Sequence, residues 1–262
     1  MLVKPCTITE IQHLIAEYLG ELSSPFDSFL EDHILSSTFF LFQDDSNDVG
    51  YMAIHNNELL TQFYIRRQYL RHAQPLFQQV IEPHSIKSVF VPTCDELLIS
   101  LIMDQDYRIN KQAYFFQDSQ VEVSVGDILE NEEFRLATQT DLATIQQVCG
   151  DFMSDYEHRV ERGELFVYYR KDSLLGIGLV ERSNMFERLA SIGMFTNEAY
   201  RKQGVGKMLI LHLRKWCSEH GISPIAGCWY YNEPSKRTLE SAGMVTKTRL
   251  LHVEVNQPKP SV

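Results

Sequence analysis

The sequence lacks the features of several common protein classes. Its five cysteines are an odd number and include no Cys-x-x-Cys pair, which argues against a disulfide framework or a zinc site. No run approaches the roughly 20 apolar residues that a membrane-spanning helix needs. The first residues, MLVKPCTITEIQ, also lack the apolar centre and cleavage site of a signal peptide. We therefore expect a cytoplasmic protein that holds no metal and is not inserted in a membrane.

Basic residues are scarce as well. The chain has 24 lysines and arginines against 35 aspartates and glutamates, for a formal net charge of -11. Proteins that bind nucleic acid carry the opposite balance, so we expect no nucleic-acid partner. A cationic partner fits the acidic balance better, although acidic residues also serve solubility.

The length of 262 residues exceeds that of an ordinary single domain. An acidic segment at 126–133 lies near the middle of the chain, and 44% of all residues are hydrophobic, so each half has the material for its own core. The sequence therefore predicts two domains, residues 1–125 and residues 126–262.

One segment of the second half has the pattern of an anion-binding site. Residues 189–206, LASIGMFTNEAYRKQGVG, predict a strand, a short polar turn and the start of an amphipathic helix. Gly204 and Gly206 lack the Cβ atoms that would keep a ligand from the backbone, so successive amides can converge on anionic oxygens. The positive end of the helix dipole supports the same charge. Cationic side chains follow closely: Arg201, Lys202 and Lys207.

The spacing excludes two familiar phosphate-binding motifs. A Walker A loop requires a serine or threonine after its lysine, but Met208 follows Lys207. The dinucleotide fingerprint requires a third glycine where Leu209 stands. The remaining pattern is Arg-x-x-Gly-x-Gly at a strand-turn-helix junction. An ordinary helix start with two chance glycines is the alternative.

This pattern resembles the motif with which the GCN5-related N-acetyltransferase (GNAT) family holds the pyrophosphate of coenzyme A. A second resemblance is Asn232-x-x-Ser235 followed by a helix that ends at Gly243-Met244, close to the family's second signature. The resemblance implies acetyl-CoA as co-substrate and no metal. The implied cofactor-binding residues are Met194, Phe195, Thr196, Arg201, Lys202, Gln203, Gly204, Val205, Gly206, Lys207, Asn232 and Ser235.

The order of predicted elements in the second half also agrees with that family. It reads β-α-α-β-β-β-α-β-α-β, with an antiparallel hairpin turned at residues 171–173. We therefore expect an α+β fold of two GNAT-like domains, each a mixed, mostly antiparallel twisted sheet flanked by helices.

The first half contains a weaker copy of the same arrangement. When Tyr69 is aligned with Tyr200, Leu70 replaces the arginine, and Ala73 and Pro75 replace the two glycines. Pro75 has no amide hydrogen to offer a phosphate. We expect this half to keep the fold but not the cofactor; an unrelated α/β domain is the alternative.

The resemblance implies direct attack of an amine on the acetyl thioester in a ternary complex. A backbone N–H near residues 194–196 would stabilise the developing oxyanion. Glu181, at the end of a strand, is the candidate base for the proton of the amine, with a surface role as the alternative. Many family members carry a tyrosine acid seven residues after the signature asparagine, but this chain has Leu239 there. Tyr230 and Tyr231 are the candidate replacements, with core packing as the alternative.

The acceptor amine is not readable from the sequence. An acidic cluster in the helix pair before the hairpin suits a cationic amine, and a solvated helix face is the alternative: Asp151, Asp155, Glu157, Glu161 and Glu164. A small molecule or a protein could supply the amine, the donor could be another acyl-CoA such as succinyl-CoA, and the protein could form a homodimer. The competing function is a non-catalytic acyl-CoA-binding module.

Overall fold

A computed structural model of the protein describes residues 1–45, 47–121 and 131–255. The α-helices in these ranges are α1 Gln12–Glu21, α2 Ser28–Leu35, α3 Ala73–Ile81, α4 Glu96–Met103, α5 Leu142–Cys149, α6 Tyr156–Glu161, α7 Val205–Glu219 and α8 Glu233–Ser241. The strands are β1 Leu2–Cys6, β2 Thr38–Asp44, β3 Asn47–His55, β4 Leu59–Ile65, β5 Ser88–Pro92, β6 Arg108–Asp118, β7 Glu132–Leu136, β8 Leu165–Arg170, β9 Ser173–Arg182, β10 Leu189–Thr196, β11 Ser223–Trp229 and β12 Met244–Glu254.

The chain forms two compact units. Unit 1 contains Met1–Tyr114 and the described part of Thr248–Val262, and unit 2 contains Phe115–Lys247. The predicted boundary between residues 125 and 126 lies outside the described residues. The end of β12 departs from the predicted range 126–262, because its residues 250–254 pair antiparallel with β5 and belong to unit 1.

Unit 1 is a mixed sheet around an aliphatic and aromatic core. β1, β2, β3 and β4 are antiparallel neighbours in that order, whereas β4 and β5 are parallel. Every residue of β4 is buried, as expected for a central strand. Helices α3 and α4 contribute Phe77 and Leu98 to the same core. The sequence did not predict β1, a short strand that contains Pro5, or helix α2.

Unit 2 has the predicted order of elements. β7, β8, β9 and β10 are antiparallel neighbours in that order, and β11 joins β10 in parallel. One face packs against α5 through Ile145 and Cys149, and the other packs against α7 through Val205 and Leu209. The predicted α+β architecture with mostly antiparallel sheets is confirmed.

The strand-to-helix junction of unit 1 lacks the geometry that an anion site needs. A 3-10 helix, Arg67–His72, leads directly into α3, and Ala73 is buried. Between residues 58 and 84, all of which are described, no residue has a positive φ. Pro75 lies in the first turn of α3, where its missing N–H removes one of the free amides. The absence of a cofactor from unit 1 stays a prediction.

A buried carboxylate makes the stability of unit 1 depend on pH. Asp95 accepts a hydrogen bond from the amide of Leu98 at 2.8 Å and so caps α4, but its other oxygen has no hydrogen-bond partner among the described residues. Burial raises the pKa of Asp95 to about 6. A carboxyl with a raised pKa stabilises the fold while it is protonated, and that stability is lost as the pH rises through about 6.

We therefore expect Asp95→Asn to stabilise unit 1 at pH 7.5 by about 2 kcal/mol and to leave little difference at pH 4. Asparagine caps a helix as well as aspartate does and cannot ionise. Hydrogen exchange of peptides from α4, measured at both pH values, would report the change. Asp95→Ala is the matched control, because it removes the cap as well and should be about 1 kcal/mol less stable than Asp95→Asn. A pH-independent difference between wild type and Asp95→Asn would contradict the prediction.

Candidate active site

Two neighbouring strands of unit 2 separate next to the predicted anion-binding motif. β10 pairs with β9 from Ala190 to Thr196, but its parallel pairing with β11 covers only Leu189, Ala190 and Ser191. Beyond Ser191, one edge of β10 is therefore open toward the gap between β10 and β11.

Hydrogen bonding at the two ends of β10 shows which backbone groups face that gap. Ser183 donates to the carbonyl of Leu189 at 2.9 Å, and Asn197 donates to the carbonyl of Leu175 at 2.9 Å. In an antiparallel pair the residues that bond to the partner strand alternate with those that bond away from it. The odd-numbered residues of β10 thus bond to β9. The N–H and C=O groups of Met194 and Thr196 point to the open edge.

The turn after β10 brings free amides to the same place. Gly204 has φ 84° and ψ -4°, the left-handed conformation that glycine adopts without a steric penalty, and α7 begins at the next residue. No side chain caps this end of the helix. The first-turn amides of Val205, Gly206 and Lys207 have no intrahelical partner and lie at the positive end of the helix dipole.

Gly206 allows α7 to approach the sheet closely. A Cβ atom at this position would lie 3.0 Å from the sulfur of Met194, 3.1 Å from the hydroxyl oxygen of Thr196 and 3.2 Å from the Cγ2 of Thr238. These distances are shorter than ordinary van der Waals contacts. A larger residue would therefore push the helix start away from β10.

The end of β10, the turn after it and the starts of α7 and α8 line a cavity of about 1040 Å³. Of the twelve predicted cofactor-binding residues, Gln203 does not line it; its side chain donates to the carbonyl of Ala199 at 3.2 Å. The other predicted residues all line the cavity: Met194, Phe195, Thr196, Arg201, Lys202, Gly204, Val205, Gly206, Lys207, Asn232 and Ser235. Their role in binding stays a prediction, and the structure brings them to one place.

The cavity carries positive charge near the glycines. Arg201 pairs with Glu198 at 3.0 Å, and its guanidinium carbon lies 5.9 Å from the ring centre of Phe195. Lys202 and Lys207 form no ion pair within the described residues. Together with the free amides, these two ammonium groups suit a ligand that bears several negative charges.

Helix α8 forms the second wall of the cavity. The sequence analysis assigned only residues at the start of this helix to the site. Asn232 caps this helix, because its side-chain oxygen accepts from the amide of Ser235 at 3.2 Å. The additional lining residues are Glu233, Pro234, Arg237, Thr238 and Ser241. Residues 234, 238 and 241 recur at the spacing of one helix face, a signal that could have found them.

A smaller cavity of about 220 Å³ lies beside the first. Met194 and Phe195 line both cavities. Ile177 and Leu179 of β9, which also line the smaller cavity, pack with the cluster around α5. The smaller cavity therefore opens from the sheet face that carries α5 and α6.

Glu181 lies on the strand face that borders the smaller cavity but does not line it. It is two residues beyond Leu179, about 7 Å along β9. Its carboxylate is 3.3 Å from the guanidinium of Arg159, which also contacts Glu164 at 3.2 Å. Glu181 therefore lies away from the Met194 end of the open edge, and its role as a base stays a prediction beside the alternative of a surface role.

Neither candidate general acid lines the larger or the smaller cavity. Tyr231 is 63% exposed and packs edge-on against Trp229, and Tyr230 is half-buried beside Tyr231. Leu239, which stands where many family members have a tyrosine, is buried. The structure leaves the roles of both tyrosines as predictions.

Two further observations on the described residues concern metal ions and membranes. Across residues 1–45, 47–121 and 131–255, no group of three or more His, Cys, Asp or Glu side chains is placed to hold a metal ion. In the same ranges no helix has the length and apolar character needed to cross a membrane.

Solved structures with the same fold cover nearly all of the chain. A GNAT-family acetyltransferase from Colwellia psychrerythraea is 20% identical, with a TM-score of 0.86 over 97% of this chain and 99% of the other. A GCN5-related N-acetyltransferase from Sphaerobacter thermophilus is 13% identical, with a TM-score of 0.69 over 100% and 97%. A tandem GNAT protein from the clavulanic acid biosynthesis pathway is 10% identical, with a TM-score of 0.64 over 100% and 99%. No curated protein matches the chain in sequence.

Family matches cover both halves separately. Residues 7–119 match the family described as "Acetyltransferase (GNAT) domain" and residues 129–244 match "Acetyltransferase (GNAT) family". The weaker copy predicted in the first half is therefore confirmed as a GNAT domain, and the alternative of an unrelated α/β domain is excluded. With two such domains in tandem, this chain belongs to the GNAT family of acetyltransferases.

Proposed function

We propose that unit 2 transfers the acetyl group of acetyl-CoA to an amine by direct attack in a ternary complex. The observation that carries this proposal is the adjacency of two features. The left-handed turn at Gly204 directs free helix amides into the larger cavity, and the open edge of β10 lies in the wall of that cavity.

The residues around the larger cavity fit coenzyme A. The amides of residues 205–207 would bind its pyrophosphate, with Lys202 and Lys207 supplying positive charge. The missing Cβ of Gly206 lets these amides lie close to β10 and α8. When bound, acetyl-CoA supplies an acetyl thioester whose thiolate is a tolerable leaving group, with a pKa of about 8 to 9 by analogy with cysteine.

The open edge of β10 supplies the polar groups for the reacting carbonyl. The N–H of Met194 points into the gap and has no strand partner there, so it is available to an oxyanion. An acceptor amine is mostly protonated at neutral pH, because a lysine-like group has a pKa of about 10.4. We propose that Glu181 takes this proton through water, from the strand face that borders the smaller cavity.

This role of Glu181 has a direct test. Glu181→Gln should lower kcat at least tenfold at pH 7 and leave the Kd of acetyl-CoA unchanged, since a positioned base contributes about a hundredfold or more. The matched control is Glu164→Gln, which breaks the other ion pair of Arg159 and keeps the proposed base. Equal loss of activity in both variants would assign Glu181 a structural role through Arg159.

A non-catalytic acyl-CoA-binding module is the second candidate, and buried Leu239 at the usual tyrosine position favours it. Two measurements on the full chain separate the candidates: calorimetric titration of acetyl-CoA, and release of free thiol in the presence of an amine panel. An enzyme should bind acetyl-CoA and release free thiol with at least one amine of the panel. Binding without turnover across the whole panel would favour the module, and absence of binding would overturn both.

A further inference from the structure

We infer that the acceptor of unit 2 is a primary amine attached to an apolar group, aliphatic or aromatic, and that this group occupies the smaller cavity. The inference rests on the proposed function and adds a substrate class to it. It departs from the sequence-based expectation of an acceptor recognised through its positive charge.

The walls of the smaller cavity are apolar. Its apolar lining residues come from the segment between α5 and α6 on one side and from β9 and β10 on the other: Phe152, Met153, Ile177, Leu179, Met194 and Phe195. The rings of Phe152 and Phe195 are 5.0 Å apart at their centres. No charged side chain is among the residues that line it.

A glycine provides the space. Gly193 lies opposite Leu179 in the β9–β10 pair, and a Cβ atom at this position would meet only the Cβ of Leu179, at 3.9 Å. Any larger side chain would extend into the cavity without a backbone clash. The missing side chain of Gly193 thus contributes space to the cavity of about 220 Å³.

The cavity ends where the reaction would occur. Met194 and Phe195 separate it from the larger cavity, and the N–H of Met194 points to the open edge between β10 and β11. An amine whose apolar group fills the smaller cavity would therefore have its nitrogen beside the site proposed for the thioester carbonyl.

The acidic cluster does not serve this cavity. Asp151, Asp155 and Glu157 are exposed to solvent and do not line it. Glu164 contacts Arg159 and Arg162. A second ammonium group in the cavity would lose its hydration without gaining a carboxylate, which is strongly unfavourable.

Alkylamines of increasing length test the inference against diamines of equal length. Release of thiol from acetyl-CoA would be followed for ethylamine, butylamine, hexylamine and 2-phenylethylamine, and for 1,4-diaminobutane and 1,6-diaminohexane. We expect kcat/KM to rise about fourfold for each buried methylene until the cavity is full. Hexylamine should exceed 1,6-diaminohexane by at least tenfold. Equal or better use of the diamine, or no dependence on chain length, would overturn the substrate class and leave the proposed function standing.

The Gly193→Val variant tests whether the smaller cavity causes the preference for longer alkylamines. Valine suits a strand and fills the cavity, so the preference for hexylamine over ethylamine should fall at least tenfold. Gly20→Val is the control, because residue 20 lies on α1 of unit 1 with nothing within 4 Å of an added Cβ. It should keep the wild-type preference; loss of the preference in both variants, or in neither, would count against the assignment.

A binding measurement keeps this inference separate from the proposed function. Hexylamine and 1,6-diaminohexane would be titrated calorimetrically into the protein saturated with coenzyme A. Binding of hexylamine that Gly193→Val abolishes, without turnover of any amine, would support the cavity and overturn the acetyltransferase proposal. Failure of hexylamine both to bind and to react would overturn the inference.

Discussion

Gly204→Ala is expected to weaken acetyl-CoA binding about a hundredfold. Residue 204 has φ 84°, and an alanine there is strained by about 1 to 2 kcal/mol even though nothing lies within 4 Å of the added Cβ. Relaxation of that strain would turn the amides of Val205 and Gly206 away from the pyrophosphate. Each hydrogen bond to a charged group contributes about 1.5 to 3 kcal/mol, so the loss of even one or two explains this factor. Calorimetric titration would measure the change.

Gly221→Ala is the matched control for this prediction. Residue 221 lies just beyond the other end of α7, has φ +65° and likewise has nothing within 4 Å of an added Cβ. Both variants should lose about 1 kcal/mol of stability, since both place an L-residue in the left-handed region. Only Gly204→Ala should lose affinity. Equal affinities in the two variants would remove the left-handed turn from the proposed binding site.

The local chemistry of the motif made the larger cavity predictable. Glycines at 204 and 206, a strand before them and a helix after them have few physical uses besides close approach to an anion, and most of the predicted residues line one cavity. Gln203 does not line this cavity, because its side chain turns back to the carbonyl of Ala199, and its role in cofactor binding stays a prediction. The side chains of neighbouring residues in a turn can point in different directions.

The smaller cavity could not be predicted from the sequence. It depends on Gly193 facing Leu179 across two strands and on the approach of Phe152 from a distant segment. Cavities of this kind arise from tertiary packing, and no local sequence pattern indicates them. For the same reason the acidic residues near α6, which look like an acceptor site in sequence, lie outside the cavity.

The fold was predictable from the sequence where the hydrophobic pattern is strong, and less predictable at the edge of the sheet and in long-range strand pairing. The sequence of the central strand β4, LLTQFYI, is mostly apolar and rich in aromatic and branched residues, a pattern that indicates a strand. Strand β1 was missed because Pro5 argues against a strand, and pairing with β2 overrides that preference at the edge of the sheet. Pairing of β12 with β5 links segments about 160 residues apart, which no local pattern encodes.

The largest effect on stability is expected from Asp141→Ala, which should lower the free energy of unfolding of unit 2 by about 3 kcal/mol at pH 7. The buried carboxylate of Asp141 accepts two hydrogen bonds from Arg135, at 2.7 and 3.0 Å. It also accepts from the amide and the hydroxyl of Thr138, each at 2.8 Å. Removing it takes two acceptors from the guanidinium of Arg135 and one from each of the two donors of Thr138. The two tryptophans of the chain, Trp216 and Trp229, both belong to unit 2, so their fluorescence during urea unfolding reports this unit.

The dependence on pH distinguishes this carboxylate from a surface one. The guanidinium of Arg135, together with the two donors of Thr138, holds the pKa of Asp141 well below its usual range, although burial acts in the opposite direction. A depressed pKa contributes stability above the unfolded-state value of about 3.9, and that stability is lost as the pH falls further. The advantage of wild type over Asp141→Ala should therefore persist from pH 7 to about pH 4 and shrink below it.

Glu133→Gln is the control: Glu133 meets the same arginine at 3.3 Å but is 61% exposed, so its loss should change stability by less than about 0.5 kcal/mol. Comparable losses in the two variants would mean that burial of Asp141 adds nothing to the ion pair.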